Sequence, residues 1–146
     1  MPTTRVSRRI AADPTSTALL LAGPTAFELW PGVQRVADVS GRVVVETVVG
    51  VERSLAASVR AEPPQRTPTS YVTRFDWTGP GLPATRGELT LGYAPGTQAA
   101  PATQAALVLE TSGFEGSALD EPTLAGMATG FLANLARAAE LRSRAA

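Results

Sequence analysis

The segment Asp120 to Arg144 is the longest stretch that reads as helix without interruption, and it limits what the rest of the chain can fold into. Asp120 supplies a capping oxygen, Glu121 puts negative charge near the positive end of the helix dipole, and Pro122 sits where a missing N–H costs nothing. At 100° per residue, Leu124, Met127, Ala128, Phe131, Leu135 and Ala138 fall in one apolar stripe, opposite Thr129, Ala133, Arg137 and Glu140. Arg137, Arg142 and Arg144 gather in the last turns, where cations suit the negative helix end. One face of this helix must be buried, so the upstream chain has to supply a surface that covers it.

That upstream chain reads mostly as strand. Thr4 to Ala12 alternates weakly and ends at Asp13-Pro14, a helix-start signal. Two short helices follow, Thr15 to Ala22 and Thr25 to Trp30, closed by Gly23-Pro24 and Pro31-Gly32. Val33 to Val39 and Arg42 to Val51 are rich in β-branched residues around a Ser40-Gly41 turn, which predicts a hairpin. Ser54 to Glu62, Ser70 to Thr78, Thr85 to Ala94 and Thr103 to Ser112 alternate in turn, separated by Pro- and Gly-rich breaks. Strands that follow strands with no helix between them predict an antiparallel sheet in an α+β fold, and 146 residues predict a single domain, 1–146.

Composition removes several function classes. Thirteen basic and thirteen acidic residues cancel, so there is no electrostatic footprint for nucleic acid. No apolar run approaches the ~18 residues of a membrane span, and Met1 to Ile10 carries charges where a signal peptide needs its apolar centre, so the expectation is a cytoplasmic protein with no transmembrane segment. Cysteine and histidine are both absent, which excludes disulfides, Ser-His-Asp and Cys-His catalysis, and the commonest transition-metal ligands. All the basic side chains are arginines, which form no Schiff bases. We therefore expect no metal and no cofactor.

Strand parity sorts the side chains into two faces. One set contains Val43, Val45, Thr47 and Val49, then Leu55, Ala57 and Val59, then Tyr71, Thr73, Phe75 and Trp77, then Leu89, Leu91 and Tyr93. The other holds Glu46, Arg60, Glu62, Arg74, Asp76, Arg86 and Glu88. The first is the expected interior, and its polar groups are the hydroxyls of Tyr71, Thr73 and Tyr93. Arg8 shares parity with Val6 and Ile10, as an anchor for an acidic group or as a side chain reaching back to water. Trp30, Phe75, Trp77, Phe114, Met127 and Phe131 either line a pocket or fill a core, with Ala128 beside them on the helix stripe. Gly126 and Gly130 receive no role, and the Ser112 to Ser117 connector reads either as an ordinary loop or as a gate.

Three segments, taken in order with the terminal helix, carry a resemblance. They are Arg5-Val6-Ser7-Arg8-Arg9-Ile10-Ala11-Ala12-Asp13-Pro14, Leu29-Trp30-Pro31-Gly32-Val33 and Trp77-Thr78-Gly79-Pro80. The chain resembles the START and birch-pollen-allergen-like helix-grip superfamily (SRPBCC), nearest its polyketide cyclase/dehydrase branch. The resemblance implies a curved antiparallel sheet of about seven strands wrapped around the C-terminal helix, with a cavity between them for lipid- or polyketide-like molecules. Ligand-binding candidates are then Trp30, Tyr71, Thr73, Phe75, Trp77, Tyr93, Phe114, Met127, Ala128 and Phe131. The alternative is a cofactor-independent cyclase, aromatase or dehydratase of secondary metabolism, for which Tyr71, Arg74 and Tyr93 are the catalytic candidates. Members of that branch are thought to use an interior arginine near this strand, whereas parity points Arg74 outward. The branch also has an inner polar group on the terminal helix, where Asn134 is the one amide available. The expected partner is an apolar small molecule. A protein partner at the sheet, including a homodimer, stays open.

Overall fold

The computed structural model describes residues 2–39, 42–49, 53–94, 101–117 and 119–145, without the side chains of 24, 25, 35, 38, 39, 42, 43, 45–49, 53–56 and 145. The interior expectations at Val43, Val45, Thr47, Val49 and Leu55, the outward one at Glu46, and the turn at 40–41 lie outside the described residues. Elsewhere the order of elements follows the sequence closely. Strand β1 is Thr3–Ile10, helix α1 is Pro14–Leu19, and a 3₁₀ segment covers Pro24–Leu29. Strands β2 (Val33–Val39), β3 (Arg42–Val49), β4 (Arg53–Ala61), β5 (Gln65–Arg66), β6 (Ser70–Gly79), β7 (Leu82–Tyr93) and β8 (Thr103–Thr111) follow, and helix α2, Glu121–Ala145, ends the chain.

All strand pairs are antiparallel. The sheet runs β1-β8-β7-β6-β4-β3-β2, with the two-residue β5 attached to β6 off this path. Among the described residues this path holds seven strands, with β5 beside it, and the antiparallel sheet with a long C-terminal helix is the expected architecture. Pro63-Pro64 interrupts the alternation just before β5, and two residues are too few to show a period. Near Gly79 to Gly81 the β6–β7 connection tightens, with Gly81 at φ 76°, a conformation that glycine adopts without a Cβ penalty.

Local chemistry sets the first helix. Asp13 accepts a hydrogen bond from the Ser16 amide at 3.1 Å, and Pro14 occupies the first turn. The element is shorter than the sequence suggests, Pro14–Leu19 in place of Thr15 to Ala22, and β1 likewise stops at Ile10. Thr103 Oγ1 donates to the Ala12 carbonyl at 2.7 Å, so the chain leaving β1 is tied to the start of β8.

The core lies between one sheet face and α2. Ile10, Leu89, Leu91, Leu107, Leu109, Leu124, Leu132 and Leu135 are almost completely buried there. Truncating one such leucine to alanine costs about 2–5 kcal/mol. Along α2 the buried residues are Leu124, Ala128, Phe131, Leu132, Leu135, Ala136 and Ala139. This stripe is wider than predicted and rotated from it: Met127 and Ala138 are half-buried, and Glu140, expected opposite the stripe, accepts the Ala11 amide at 3.0 Å. The helix packs on β1 and also on α1, so contacts on two sides widen the buried arc.

Parity holds along the central strands β6 and β7 up to Leu91. Thr73, Phe75, Leu89 and Leu91 are buried, whereas Arg60, Glu62, Arg74, Arg86 and Glu88 are exposed and Asp76 is half-buried. The pairing registers place Glu110, Arg86, Asp76 and Arg60 in one row of alternating sign across four strands, with Glu88 and Arg74 adjacent in the next row. Opposite charges on facing strands contribute roughly 0.2–1 kcal/mol each. Beneath them, on the interior side, the Phe75 ring lies over Gly87, so closely that a Cβ on Gly87 would overlap it.

A candidate ligand site between sheet and helix

Three elements converge on Trp30. The 3₁₀ segment ends at Leu29 and hands the chain to Trp30 in extended conformation, which turns the indole inward. Strand β6 contributes Phe75 and Trp77, two residues apart and therefore on one face, and α2 contributes Phe131. The indole of Trp30 is stacked on the Phe131 ring at 4.5 Å and 15°, and meets Trp77 edge-on at 5.3 Å and Phe75 at 6.0 Å. Phe75 and Trp77 stack on each other at 5.7 Å and 17°. Each such pair contributes ~0.5–1.5 kcal/mol beyond the area it buries.

The segment carrying Trp30 docks on α2 at three consecutive residues. Asn134 Nδ2 donates to the Leu29 carbonyl at 2.7 Å, Trp30 stacks on Phe131, and the Pro31 ring sits over Gly130. A Cβ at Gly130 would overlap the Pro31 ring, which gives this glycine a role that helical-wheel position alone did not suggest. Asn134, the amide on the stripe's flank, therefore faces backbone and not an interior void.

Beneath the 3₁₀ segment is a recess of about 40 Å³, lined by residues that include Leu21, Phe27, Trp30, Thr73, Phe75 and Phe131. One water claims about 30 Å³ of liquid, and small-molecule pockets run to about 300–1,000 Å³. In this conformation the aromatic cluster fills most of the space the fold encloses there. A larger hollow of about 870 Å³ lies on the opposite face of the sheet, lined by Arg5, Arg60, Arg74 and Arg86 together with Glu62, Asp76, Glu88 and Glu110. Four basic and four acidic side chains stand among the apolar residues Ala61, Phe75 and Val108 in its lining, so an apolar molecule seated there would strip water from charges.

Of the expected ligand residues, Trp30, Thr73, Phe75 and Phe131 line the recess. Trp77 joins the same cluster through its ring contacts. Phe114 and Met127 are half-buried against the main core, and Ala128 is fully buried within it, so these three pack without reaching the recess. Tyr71 is half-buried, and its hydroxyl leaves the interior to share a 3.0 Å hydrogen bond with Thr15 Oγ1 on α1. Tyr93 departs most from expectation: it is 63% exposed, because it is the last residue of β7, beyond the covered part of the sheet. Thr73 Oγ1 is committed to the Glu62 carbonyl at 2.8 Å.

Arg74 points outward and pairs with Glu88 at 3.0 Å. Arg8 is exposed despite its parity, having reached back to water from the edge strand. The interior thus receives no arginine from either position. Asp13 and Asp120 have pKa values below the ordinary aspartate value, held down chiefly by hydrogen bonds from Ser16 and Thr123 respectively. Both are helix caps. Among the described residues no three carboxylates gather as a metal site would require.

Leu21, Gly23, Ala26, Phe27, Ala61 and Leu89 line the recess without having been ligand candidates. The first four lie between α1 and Trp30, where elements are too short for a period to reveal a face, and Leu89 was placed on the interior face without a ligand role.

No protein-family model matches the sequence, and no curated protein matches it significantly. Solved structures do match. An aromatase/cyclase, ZhuI from Streptomyces sp. R1128, superposes with a TM-score of 0.69 over 97% of this chain and 94% of its own, at 18% identity. A START superfamily protein from Mycobacterium smegmatis gives 0.56 over 97% of both chains at 14% identity, and Ara h 8.0201 gives 0.56 over 94% of this chain and 97% of its own at 12% identity. The chain has the helix-grip fold that these structures share: an antiparallel sheet closed around a long C-terminal helix. Among the described residues no helix is long and apolar enough to cross a membrane.

Proposed function

We propose that this chain binds an apolar small molecule, lipid- or polyketide-like, between the sheet and α2. The observation that carries the reading is the chemistry of the enclosed face: Trp30, Phe75, Trp77 and Phe131 converge there, while Arg60, Glu62, Arg74, Arg86 and Glu88 stand outside. A site lined this way holds a ligand by removing its apolar surface from water, worth about 25 cal/mol per Å², and offers little to polarise a bond. The fold is compatible, since a START protein shares it.

A cyclase reading has its precedent in the Streptomyces aromatase/cyclase. Geometry supports it less well. Arg74 is tied to Glu88 on the outer face, the Tyr71 hydroxyl is engaged by Thr15, and Tyr93 is exposed. Enolate chemistry needs a donor aimed at developing charge, and Tyr71 packs on the core with its hydroxyl taken by Thr15, while Arg74 and Tyr93 stand outside it.

The test is native mass spectrometry of protein purified from its own source. Binding predicts a population heavier than the bare chain that releases an apolar molecule on denaturation. A single species at the bare mass that also fails to take up added lipid and polyketide-like compounds would refute it.

A further inference from the structure

The ligand site described above is already occupied, by part of the protein. We propose that Trp30 is a built-in occupant held on a hinged segment, and that a ligand binds by displacing its indole. The inference rests on the ligand-binding reading and adds the residue that controls access and size.

Four observations carry it. First, the free recess is about 40 Å³, far below what a lipid- or polyketide-like molecule needs. The indole of Trp30, 6% exposed and bounded by Phe131, Phe75 and Trp77, takes up the apolar volume beside it. Second, the segment bearing Trp30 is bracketed by Gly23 at φ 91° and Gly32 at φ 83°. Element ends of this kind absorb the backbone rotation of a hinge. Third, the segment is loosely closed at its ends: its six 3₁₀ residues have no side-chain cap at Gly23, and the bonds that join it to its flanks, Ala26 N to Gly23 O and Trp30 N to Phe27 O, measure 3.4 and 3.2 Å. Fourth, among the described residues the hydrogen bond joining the segment to α2 is Asn134 Nδ2 to the Leu29 carbonyl.

The energetics favour an exchange. Moving Trp30 out and a ligand ring in replaces one apolar surface with another, so much of the burial lost by the indole returns with the ligand. What the ligand must overcome is the docking itself, which includes the Asn134 bond, the seat of Pro31 on Gly130 and the packing of Phe27 and Leu29 on the core. Asn134 is then a positioning residue whose removal favours the open segment. A binding-competent state that is more populated raises apparent affinity in proportion. Loss of one hydrogen bond of ordinary net strength corresponds to roughly five-fold tighter binding.

The experiment uses the full chain labelled with 5-fluorotryptophan, and N-phenyl-1-naphthylamine as a neutral apolar probe that the outer arginines do not attract. Two ¹⁹F resonances are expected, assigned with Trp77→Phe. On saturation the Trp30 resonance should gain the H₂O/D₂O isotope shift of an exposed indole, and Asn134→Ala should bind the probe roughly five-fold more tightly than the parent. A merely structural role for Asn134 would weaken binding or leave it unchanged. If the parent binds the probe while Trp30 keeps its buried resonance and Asn134→Ala binds no tighter, the built-in occupant is wrong and the ligand-binding reading stands. If the parent, Asn134→Ala and Trp30→Ala all melt cooperatively and none binds the probe, the ligand-binding reading falls, and this inference with it.

Discussion

Gly126 and Gly130 are both interior to α2, one turn apart, and alanine at each isolates a single contact. Replacing a glycine inside a helix by alanine contributes about 1 kcal/mol from backbone entropy alone. At Gly126 a new Cβ meets nothing within 4 Å, so that gain should appear in full. At Gly130 the same Cβ would overlap the Pro31 ring and lie 3.5 Å from two more of its carbons. A proline ring cannot rotate away, and overpacking of this kind costs about 1–3 kcal/mol, leaving a net change from near zero to about 2 kcal/mol destabilising. For a chain of 146 residues, 1 kcal/mol moves the melting temperature by about 3 °C. Thermal denaturation followed by circular dichroism should therefore place Gly126→Ala about 3 °C above the parent, and Gly130→Ala between the parent and about 6 °C below it. Adding Pro31→Ala to Gly130→Ala should recover part of the loss, as coupling between touching residues requires. Equal stabilisation by both alanines would mean that Pro31 is not seated on α2, and the docking of the Trp30 segment would be refuted.

Other consequences can be checked on the same protein. Ala128→Phe should lower stability by about 1–3 kcal/mol in denaturant titration, because Ala128 is fully buried in the core and does not border the recess; an unchanged midpoint would reveal open space beside it. Arg74→Ala should change stability by less than about 0.5 kcal/mol and leave probe binding intact, since the Arg74–Glu88 pair is exposed to solvent; lost binding with an intact fold would put this arginine inside. Asp13 and Asp120 have lowered folded-state pKa values, so their contribution is present above the unfolded aspartate value and is lost as pH falls below about 4. The paired variant Asp13→Asn, Asp120→Asn should accordingly lose less melting temperature between pH 5 and pH 3 than the parent, and an equal or greater loss would contradict the assigned caps.

The legible parts of this fold were those with a period long enough to read. Alternation over eight or more residues located the long strands, and it put Arg74 and Glu88 outside while Phe75 and Leu89 went inside. Asp13-Pro14 and Asp120 announced their helices because capping is local chemistry. Parity failed at Tyr93 because it gives a face and not an extent: the residue is on the inner row where nothing covers it. The buried arc of α2 was misjudged for a related reason, since a wheel reports apolarity and cannot show that the helix would pack on α1 as well as β1, with Ala136 and Ala139 buried too. Least legible was the site. Trp30, Phe75, Trp77 and Phe131 were named from the sequence, but their mutual stacking, and the fact that Trp30 fills the space, depend on three elements separated by up to a hundred residues.

The central claim is that an apolar ligand goes to the enclosed face and not to the larger charged hollow. Chemical-shift mapping on leucine, valine and alanine methyl groups, with N-phenyl-1-naphthylamine added stepwise, distinguishes the two faces directly. The account predicts shifts centred on Leu21, Ala26 and Leu89 beside the recess, with Val108 in the outer hollow unmoved. Shifts confined to Val108 and its outer-face neighbours, with the Leu21, Ala26 and Leu89 methyls unchanged at saturation, would contradict it.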